Sequence, residues 1–316
     1  MRLAILDDFE NVALELAPWE QLDPKIKIDV FKDHLVKEDV LVDRLLPYDI
    51  VVIMRERTPF SRSLIKRLSN LKLLVTSGRV NRAIDLAACK ENAIVVCGTE
   101  SSKNAPAELT WGLIISLMRR ISQANRSIRE GRWGDGIGNG LHGKVLGIMG
   151  LGKLGTQVAR VGLAFGMQVI AWSQNLTSEK AAGVGAVRVE KDSLFSASDV
   201  ISIHLVLSER TRGLIGAHEI GLMKPSAYIV NTSRGPIIQE TALIEALEKG
   251  SIAGAGLDVY DQEPLSSDHP YVSLPNTVLT PHVGYVTKES FKTYFSQALE
   301  DVTAWLEGRP VRVLTP

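Results

Sequence analysis

The chain has 316 residues, 45% of them hydrophobic, and 36 Lys and Arg balance 36 Asp and Glu to a formal net charge of zero. That length and apolar content suit two domains, each with its own core. The balanced charge, without long runs of one sign, excludes a broad surface for nucleic acid or for an anionic membrane.

Residues 1–6 form an apolar run that Asp7 and Asp8 cut short, so they do not read as a signal peptide. No apolar stretch reaches membrane-spanning length, and the chain reads as soluble and cytoplasmic. Strand-type runs at 3–6, 26–31, 50–54, 73–77 and 94–97 alternate with helical patterns at 11–16, 37–46, 61–68 and 84–92. Such alternation predicts a flavodoxin-like parallel sheet with helices on both faces, whose ligands lie beyond the carboxyl ends of the strands. Those ends carry Arg55, Arg57 and the turn Ser77-Gly78-Arg79-Val80, and Gly78 suggests a backbone that something approaches closely. Cys89 and Cys97 sit near apolar segments and read as buried small side chains rather than a disulfide framework.

Residues 101–104 read as a connection, and 105–129 as one long helix with Pro106 in its first turn and an apolar face of Trp111, Leu113, Ile114, Leu117 and Ile121. A Gly-rich loop at 131–143 then leads to the run 145–149, to Gly150-Leu151-Gly152-Lys153-Leu154-Gly155, and to an amphipathic stretch at 156–165. Strand, glycine turn and helix, followed by a second strand at 168–172, form the arrangement of a dinucleotide site. Gly150 makes the tight turn, Gly152 lets the backbone approach a pyrophosphate, and Gly155 lets helix and strand pack closely. The helix start at Lys153 and Leu154 offers N–H groups and a positive dipole end to the phosphates.

Further strand runs at 187–189, 200–206, 228–231, 253–259 and 277–279 bring this sheet to seven strands; 288–306 is helical and 311–314 a short tail. An NAD site usually places an acid about 20 residues past the glycines, where it accepts from the ribose hydroxyls. Here the second strand ends in Ser173-Gln174-Asn175, with Ser173 where the acid would stand. Ser173 and Asn175 could donate to a 2′-phosphate, with Lys180 nearby but no arginine within the segment, which favours NADP over NAD. Arg234 follows one strand, Asp258 ends another with Glu263 in the next loop, and His282 follows the last. An arginine, a carboxylate and a histidine on one edge form an acid–base constellation in which Arg234 can grip a carboxylate through two N–H bonds. His204, within an apolar run, reads as a core or strand-end histidine. His34, His142, His218 and His269 read as surface or loop residues, and no cluster has metal-ligand spacing, so no metal is expected.

The motifs GLGKLG, NTSRGPI, LDVYDQEPL and LTPHVG, in this order and spacing, resemble the D-isomer-specific 2-hydroxyacid dehydrogenase family over nearly the whole chain. The resemblance implies two doubly wound α/β domains with a cleft between them. The flavodoxin-like substrate domain would comprise 1–100 and 286–316, and the Rossmann dinucleotide-binding domain 101–285, with hinge crossings near 101–105 and 285–288. It implies that Arg234 binds the carboxylate and carbonyl of a small 2-oxo acid, that His282 is the acid–base with Glu263 as its partner, and that Asp258 touches the nicotinamide amide. Thr232, the His204 backbone and Gly284 would line the coenzyme, and Arg55 with the Gly78-Arg79-Val80 backbone would meet the substrate. A homodimer through the dinucleotide-binding domain is expected. The sequence departs from the family pattern at Ser173, at Val80 where a second glycine is common, and at Gln239 in place of an aspartate. A dinucleotide-sensing corepressor-like scaffold is the alternative, against which stands the lack of a disordered tail. A formate-dehydrogenase-like role is disfavoured because that branch carries Gln where Glu263 stands.

Overall fold

The structure is a computed structural model that describes residues 1–101, 104–134 and 136–316. The expected connection at 101–104 includes Ser102 and Lys103, and the expected loop at 131–143 includes Asp135; these three residues lie outside the described ones. The chain divides into two compact units, Met1–Ser102 with Val286–Pro316, and Lys103–Tyr285.

The first unit contains β1 (Arg2–Ile5), α1 (Ala13–Leu16), β2 (Lys27–Val30), α2 (Glu38–Leu45), β3 (Ile50–Ile53), α3 (Arg62–Arg67), β4 (Leu73–Thr76), α4 (Leu86–Glu91) and β5 (Val95–Gly98). The strands form one parallel sheet in the order β2-β1-β3-β4-β5. Its central strands IVVI and LLVT are buried at every position, as expected of a parallel sheet covered on both faces. The side chains of Ser61 and Asp85 accept from the backbones of Leu64 and Ala88 and so start α3 and α4.

The second unit contains α5 (Ala105–Met118), α6 (Ile121–Arg129), β6 (Val145–Met149), α7 (Lys153–Ala164), β7 (Gln168–Trp172), α8 (Ser178–Ala182), β8 (Val187–Arg188), α9 (Lys191–Ala197), β9 (Val200–Ile203), α10 (Ala217–Gly221), β10 (Tyr228–Asn231), α11 (Glu240–Glu248), β11 (Gly254–Leu257), α12 (Pro270–Ser273) and β12 (Thr277–Leu279). Its parallel sheet runs β12-β11-β10-β9-β6-β7-β8. β6 sits where the chain order reverses, the position from which a doubly wound sheet presents its ligand loop. Trp111 and Ile114 of α5 and Val158 and Ala159 of α7 pack on one face of the sheet. Phe195, Ile220, Leu243 and Leu247 from α9, α10 and α11 pack on the other.

The chain returns to the first unit as α13 (Lys288–Leu306), which lays Phe291, Tyr294 and Phe295 against β4, β5 and α1.

Three readings of the sequence need correcting. The single helix expected at 105–129 is two, because the loop residue Asn139 donates to the carbonyl of Met118 (2.6 Å) and Arg120 turns left-handed at φ 53°. The carbonyl that a continuous helix would give to Ser122 is thereby taken by the loop. The strand expected at 200–206 ends at Ile203. The tail is part of the sheet edge: Val313 bridges antiparallel to Cys97, Leu314 N–H donates to Val96 (2.8 Å), and Gly98 N–H donates to Arg312 (3.0 Å).

Candidate active site

The glycine turn after β6 is built as a cradle. Gly150 takes φ 96°, and a Cβ there would meet the His204 carbonyl at 2.6 Å; a Cβ on Gly155 would overlap the Gly150 carbonyl. Around Gly152, at the start of α7, the same construction meets nothing within 4 Å, and no side chain caps the helix. Open space over unclaimed N–H groups at Lys153 and Leu154, at the positive end of a twelve-residue helix, fits the pyrophosphate of a dinucleotide. His204 donates its backbone N–H to Met149 (2.7 Å), and its Nε2 lies 2.8 Å from the Ser202 hydroxyl. Burial pushes its imidazole down to about 4, so the ring is neutral and serves the strand end.

Beyond β7, Ser173 is half-buried and Gln174 and Asn175 are exposed, and Ser173 accepts from Leu176 (3.0 Å). The cation absent from this segment in sequence comes from the neighbouring strand. Arg188 of β8 pairs in register with Ala171 of β7, and its Nε donates to the Leu176 carbonyl (3.0 Å), while the guanidinium also pairs with Glu190 (3.0 Å). Only strand pairing discloses this proximity; no local motif could have.

Three loops at the carboxyl edge of the same sheet carry the polar constellation. After β10, Asn231 accepts from the Ser233 N–H (3.0 Å) and donates to the Arg234 carbonyl (2.9 Å), folding a tight turn that presents Arg234. The Ser233 hydroxyl donates to the Leu205 carbonyl, Arg234 Nη1 donates to the Ser233 carbonyl (2.6 Å), and the Thr232 hydroxyl meets that of Thr110 (2.8 Å). After β12, His282 takes a left-handed backbone (φ 54°), a conformation that costs a non-glycine residue energy and needs support from its surroundings. Asp258, 1% exposed at the end of β11, provides it: Oδ1 accepts from the Thr280 hydroxyl (2.6 Å) and Val283 N–H (2.8 Å), and Oδ2 from Gly284 N–H (2.9 Å). Burial raises the Asp258 carboxyl above the ordinary range, against the pull of these donors.

His282 Nδ1 and Glu263 Oε2 stand 2.6 Å apart, with side chains 22% and 33% exposed. Glu263 Oε1 also accepts from the Tyr260 N–H (3.0 Å). Burial alone would raise Glu263, but its bond to His282, the His282 charge, the Tyr260 N–H and Arg234 together hold it below the usual carboxylate range. A carboxylate against Nδ1 fixes the ring orientation and leaves Nε2 to exchange a proton with a ligand. Tyr285 packs its ring edge-on to His282, centroids 5.7 Å apart.

The remaining candidates belong to the first unit. Arg55, left-handed at φ 53°, donates its N–H to the Ser77 hydroxyl (2.9 Å), and its carbonyl accepts from Asn81 (2.7 Å). Its guanidinium crosses Gly78 so closely that a Cβ there would overlap it. Gly78 N–H is committed to the Thr99 hydroxyl (3.0 Å), Arg79 lies 3.7 Å from Glu100, and Val80 is 68% exposed. Two of the histidines read as surface or loop residues do lie in loops, but each is mostly covered and bonded. His34, 10% exposed, bonds Asp7 (2.8 Å), which also accepts from Thr58 (2.7 Å); His269, 17% exposed, lies 3.4 Å from Glu240 and caps α12. Among the described residues no three His, Cys, Asp or Glu side chains are grouped to hold a metal ion, and no helix is long and apolar enough to cross a membrane.

Residues 111–284 match the family model described as D-isomer specific 2-hydroxyacid dehydrogenase, NAD binding domain. The chain is 34% identical over 282 residues to a glyoxylate reductase of Aeropyrum pernix, covering 83% of this chain and 84% of that one. It is 32% identical over 315 residues to a D-3-phosphoglycerate dehydrogenase of Archaeoglobus fulgidus, covering 99% of this chain and 58% of that one. The chain thus spans little more than half the length of the D-3-phosphoglycerate dehydrogenases that it matches. Among solved structures, a phosphoglycerate oxidoreductase from Vibrio cholerae superposes with a TM-score of 0.92 at 36% identity, covering 98% of this chain and 99% of that one.

Proposed function

The chain belongs to the D-isomer specific 2-hydroxyacid dehydrogenase family, and on that premise we propose that it interconverts a small 2-oxo acid and its D-2-hydroxy acid with a nicotinamide coenzyme. The observation that carries this reading is the Glu263–His282 pair at 2.6 Å, on the same sheet edge as Arg234. The glyoxylate reductase among the relatives supports a short substrate. In this reading Gly150, Gly152, Lys153, Leu154 and Gly155 hold the pyrophosphate, and Ser173, Gln174 and Asn175 meet the adenosine ribose. Thr232, His204 and Gly284 line the coenzyme, and Asp258 Oδ2 carries a further lone pair for the carboxamide. The reduced nicotinamide, when bound, supplies the hydride. Arg234 grips the substrate carboxylate through parallel N–H bonds and so fixes the carbonyl in one geometry. Protonated His282 gives its Nε2 proton to the carbonyl oxygen, while Glu263 as the carboxylate keeps Nδ1–H in place. In the reverse direction neutral His282 takes the hydroxyl proton. Arg55 and the Gly78-Arg79-Val80 turn contribute to substrate binding; with the Gly78 N–H already bonded to Thr99, the contacts fall to the rest of that turn.

Ser173 in place of an acid supports NADPH as the preferred coenzyme by a modest factor, with NADH still used. Trp133 and Ile137, 94% and 96% exposed beside α6, support a homodimer through the second unit. The corepressor-like scaffold draws no support from these relatives. The test is a kcat/KM panel of glyoxylate, hydroxypyruvate and longer 2-oxo acids with both coenzymes, run on the native protein and on His282→Ala. The variant is expected to lose about 10²–10⁴-fold in kcat, the usual worth of a positioned acid–base, with coenzyme affinity kept. Equal turnover by the two proteins would overturn the assignment.

A further inference from the structure

Tyr260 is one residue to which both members of the acid–base pair are tied. Its backbone N–H donates to Glu263 Oε1 (3.0 Å). Its hydroxyl reaches two main-chain carbonyls at the ends of neighbouring strands: Leu257 of β11 (3.1 Å), next to Asp258, and Thr280 beyond β12 (3.0 Å), two residues before His282. One O–H proton is shared between these acceptors, so the ring braces the ends of β11 and β12 at a fixed separation. The side chain is 6% exposed, and burial raises the phenol above its ordinary value, so the hydroxyl remains a neutral donor. The peptide joining Tyr260 to Asp261 also lies where a Cβ of Gly235 would be, so the Arg234 turn packs directly on the same segment.

We propose that Tyr260 is a positioning residue, whose hydroxyl brace sets the distance between Glu263 and His282. The proposal rests on the acid–base reading of that pair. Neither carbonyl depends on the phenol for a partner, since Leu257 also accepts from Thr280 N–H (2.9 Å) and Thr280 from His282 N–H (3.0 Å). Tyr260→Phe therefore leaves no carbonyl orphaned and should fold, and what it removes is the brace.

The groups that bear on the charge of Glu263 are His282 after β12, Arg234 after β10, and the Tyr260 N–H on its own loop. Contact with His282 helps hold Glu263 below the usual carboxylate range. A slackened contact lets that value rise, so the carboxylate is protonated at a higher pH and the acid limb of kcat/KM moves upward. The experiment compares the native protein with Tyr260→Phe and with Tyr271→Phe, a buried tyrosine whose ring lies 6.4 Å from that of Tyr260. Tyr260→Phe is expected to lose about fivefold in kcat, the worth of one hydrogen bond. KM and coenzyme affinity should change less than twofold, the acid limb should shift upward, and Tyr271→Phe should do none of this. The second readout needs no turnover: the downfield proton resonance of the His282 Nδ1–H bonded to Glu263 should move upfield or broaden in Tyr260→Phe alone. If no 2-oxo acid is turned over, the function assigned above fails and this resonance still decides the brace. A resonance that is the same in all three proteins overturns the positioning role, whatever the activity.

Discussion

Asp258 in the second unit and Asp301 in the first are both shut away from solvent, at 1% and 0% exposure, yet they are satisfied differently. Asp258 collects three neutral donors, a hydroxyl and two backbone N–H groups, all from one turn. Asp301 on α13 accepts from one cation, Arg312 Nε (3.0 Å), and its other oxygen has no donor among the described residues. Arg312 also bonds the Gln297 carbonyl (2.9 Å) and Glu300 (2.8 Å), and so ties the tail beside β5. Burial pushes Asp301 up to about 6 despite that cation. A ring of neutral donors lets a buried carboxylate impose a strained turn on the residues that donate to it. A single cation anchors a segment but leaves half of the carboxylate uncompensated.

The largest expected effect comes from breaking the first arrangement. Asp258→Ala leaves three donors without their acceptor, and His282 loses the support for its left-handed backbone. We expect a stability loss of about 3–5 kcal/mol, from three buried donors left unsatisfied at about 1–3 kcal/mol each, and at least a hundredfold fall in kcat, comparable with loss of the acid–base proposed at His282. Asp258→Asn, which keeps one acceptor oxygen, should fall between that variant and the native protein in both urea midpoint and turnover. An alanine variant as active as the native protein would show that the turn holds itself.

The second arrangement is broken by pH. With a folded value of about 6 against an ordinary value near 3.8, Asp301 holds its proton more tightly in the folded state than in the unfolded one. Its stabilising contribution is therefore full below about pH 4 and is lost as pH rises through about 6, an effect of about 3 kcal/mol at 1.36 kcal/mol per unit. Hydrogen exchange at Leu314 and Gly98, whose N–H groups bond Val96 and Arg312, reports it locally. Protection there, corrected for intrinsic rates, should fall between pH 4 and pH 7 in the native protein and stay level in Asp301→Asn. The same slope in both proteins would place the titrating group elsewhere.

The smallest effect sharpens the contrast with a carboxylate in neither situation. Ser173 is half-buried after β7, and Ser173→Asp would put an acid where it meets a coenzyme rather than the protein. One or two charge-assisted bonds at about 1.5–3 kcal/mol each set the scale. The ratio of kcat/KM values should swing by about tenfold or more towards NADH. A native protein that already favours NADH tenfold would contradict the reading of that strand end.

Much of this was legible in the residues themselves, for reasons that differ from one element to the next. IVVI and LLVT announce buried parallel strands because both faces must be apolar. Gly150-Leu151-Gly152-Lys153-Leu154-Gly155 announces its turn because the contacts that demand glycine lie within a few residues or on the adjoining strand end. Arg234, Glu263 and His282 were recognisable by residue type and motif. Other features were silent. The break at Arg120 depends on Asn139 taking a helix carbonyl, and Arg188 meets the loop after Ser173 only because β8 pairs with β7. The Tyr260 brace needs Leu257 opposite Leu279 in the β11–β12 register.

The sequence by itself determined the strand–helix alternation, the glycine cradle and the identity of the polar residues at the sheet edge, because each rests on short-range periodicity or local backbone demands. The tertiary structure alone decided which groups hold which. It placed Asp258 under the His282 turn, Asp7 against His34, and the Arg312 tail beside β5. Those choices depend on hydrogen bonds whose partners are neighbours only after parallel strands have aligned, and no window of sequence contains both ends.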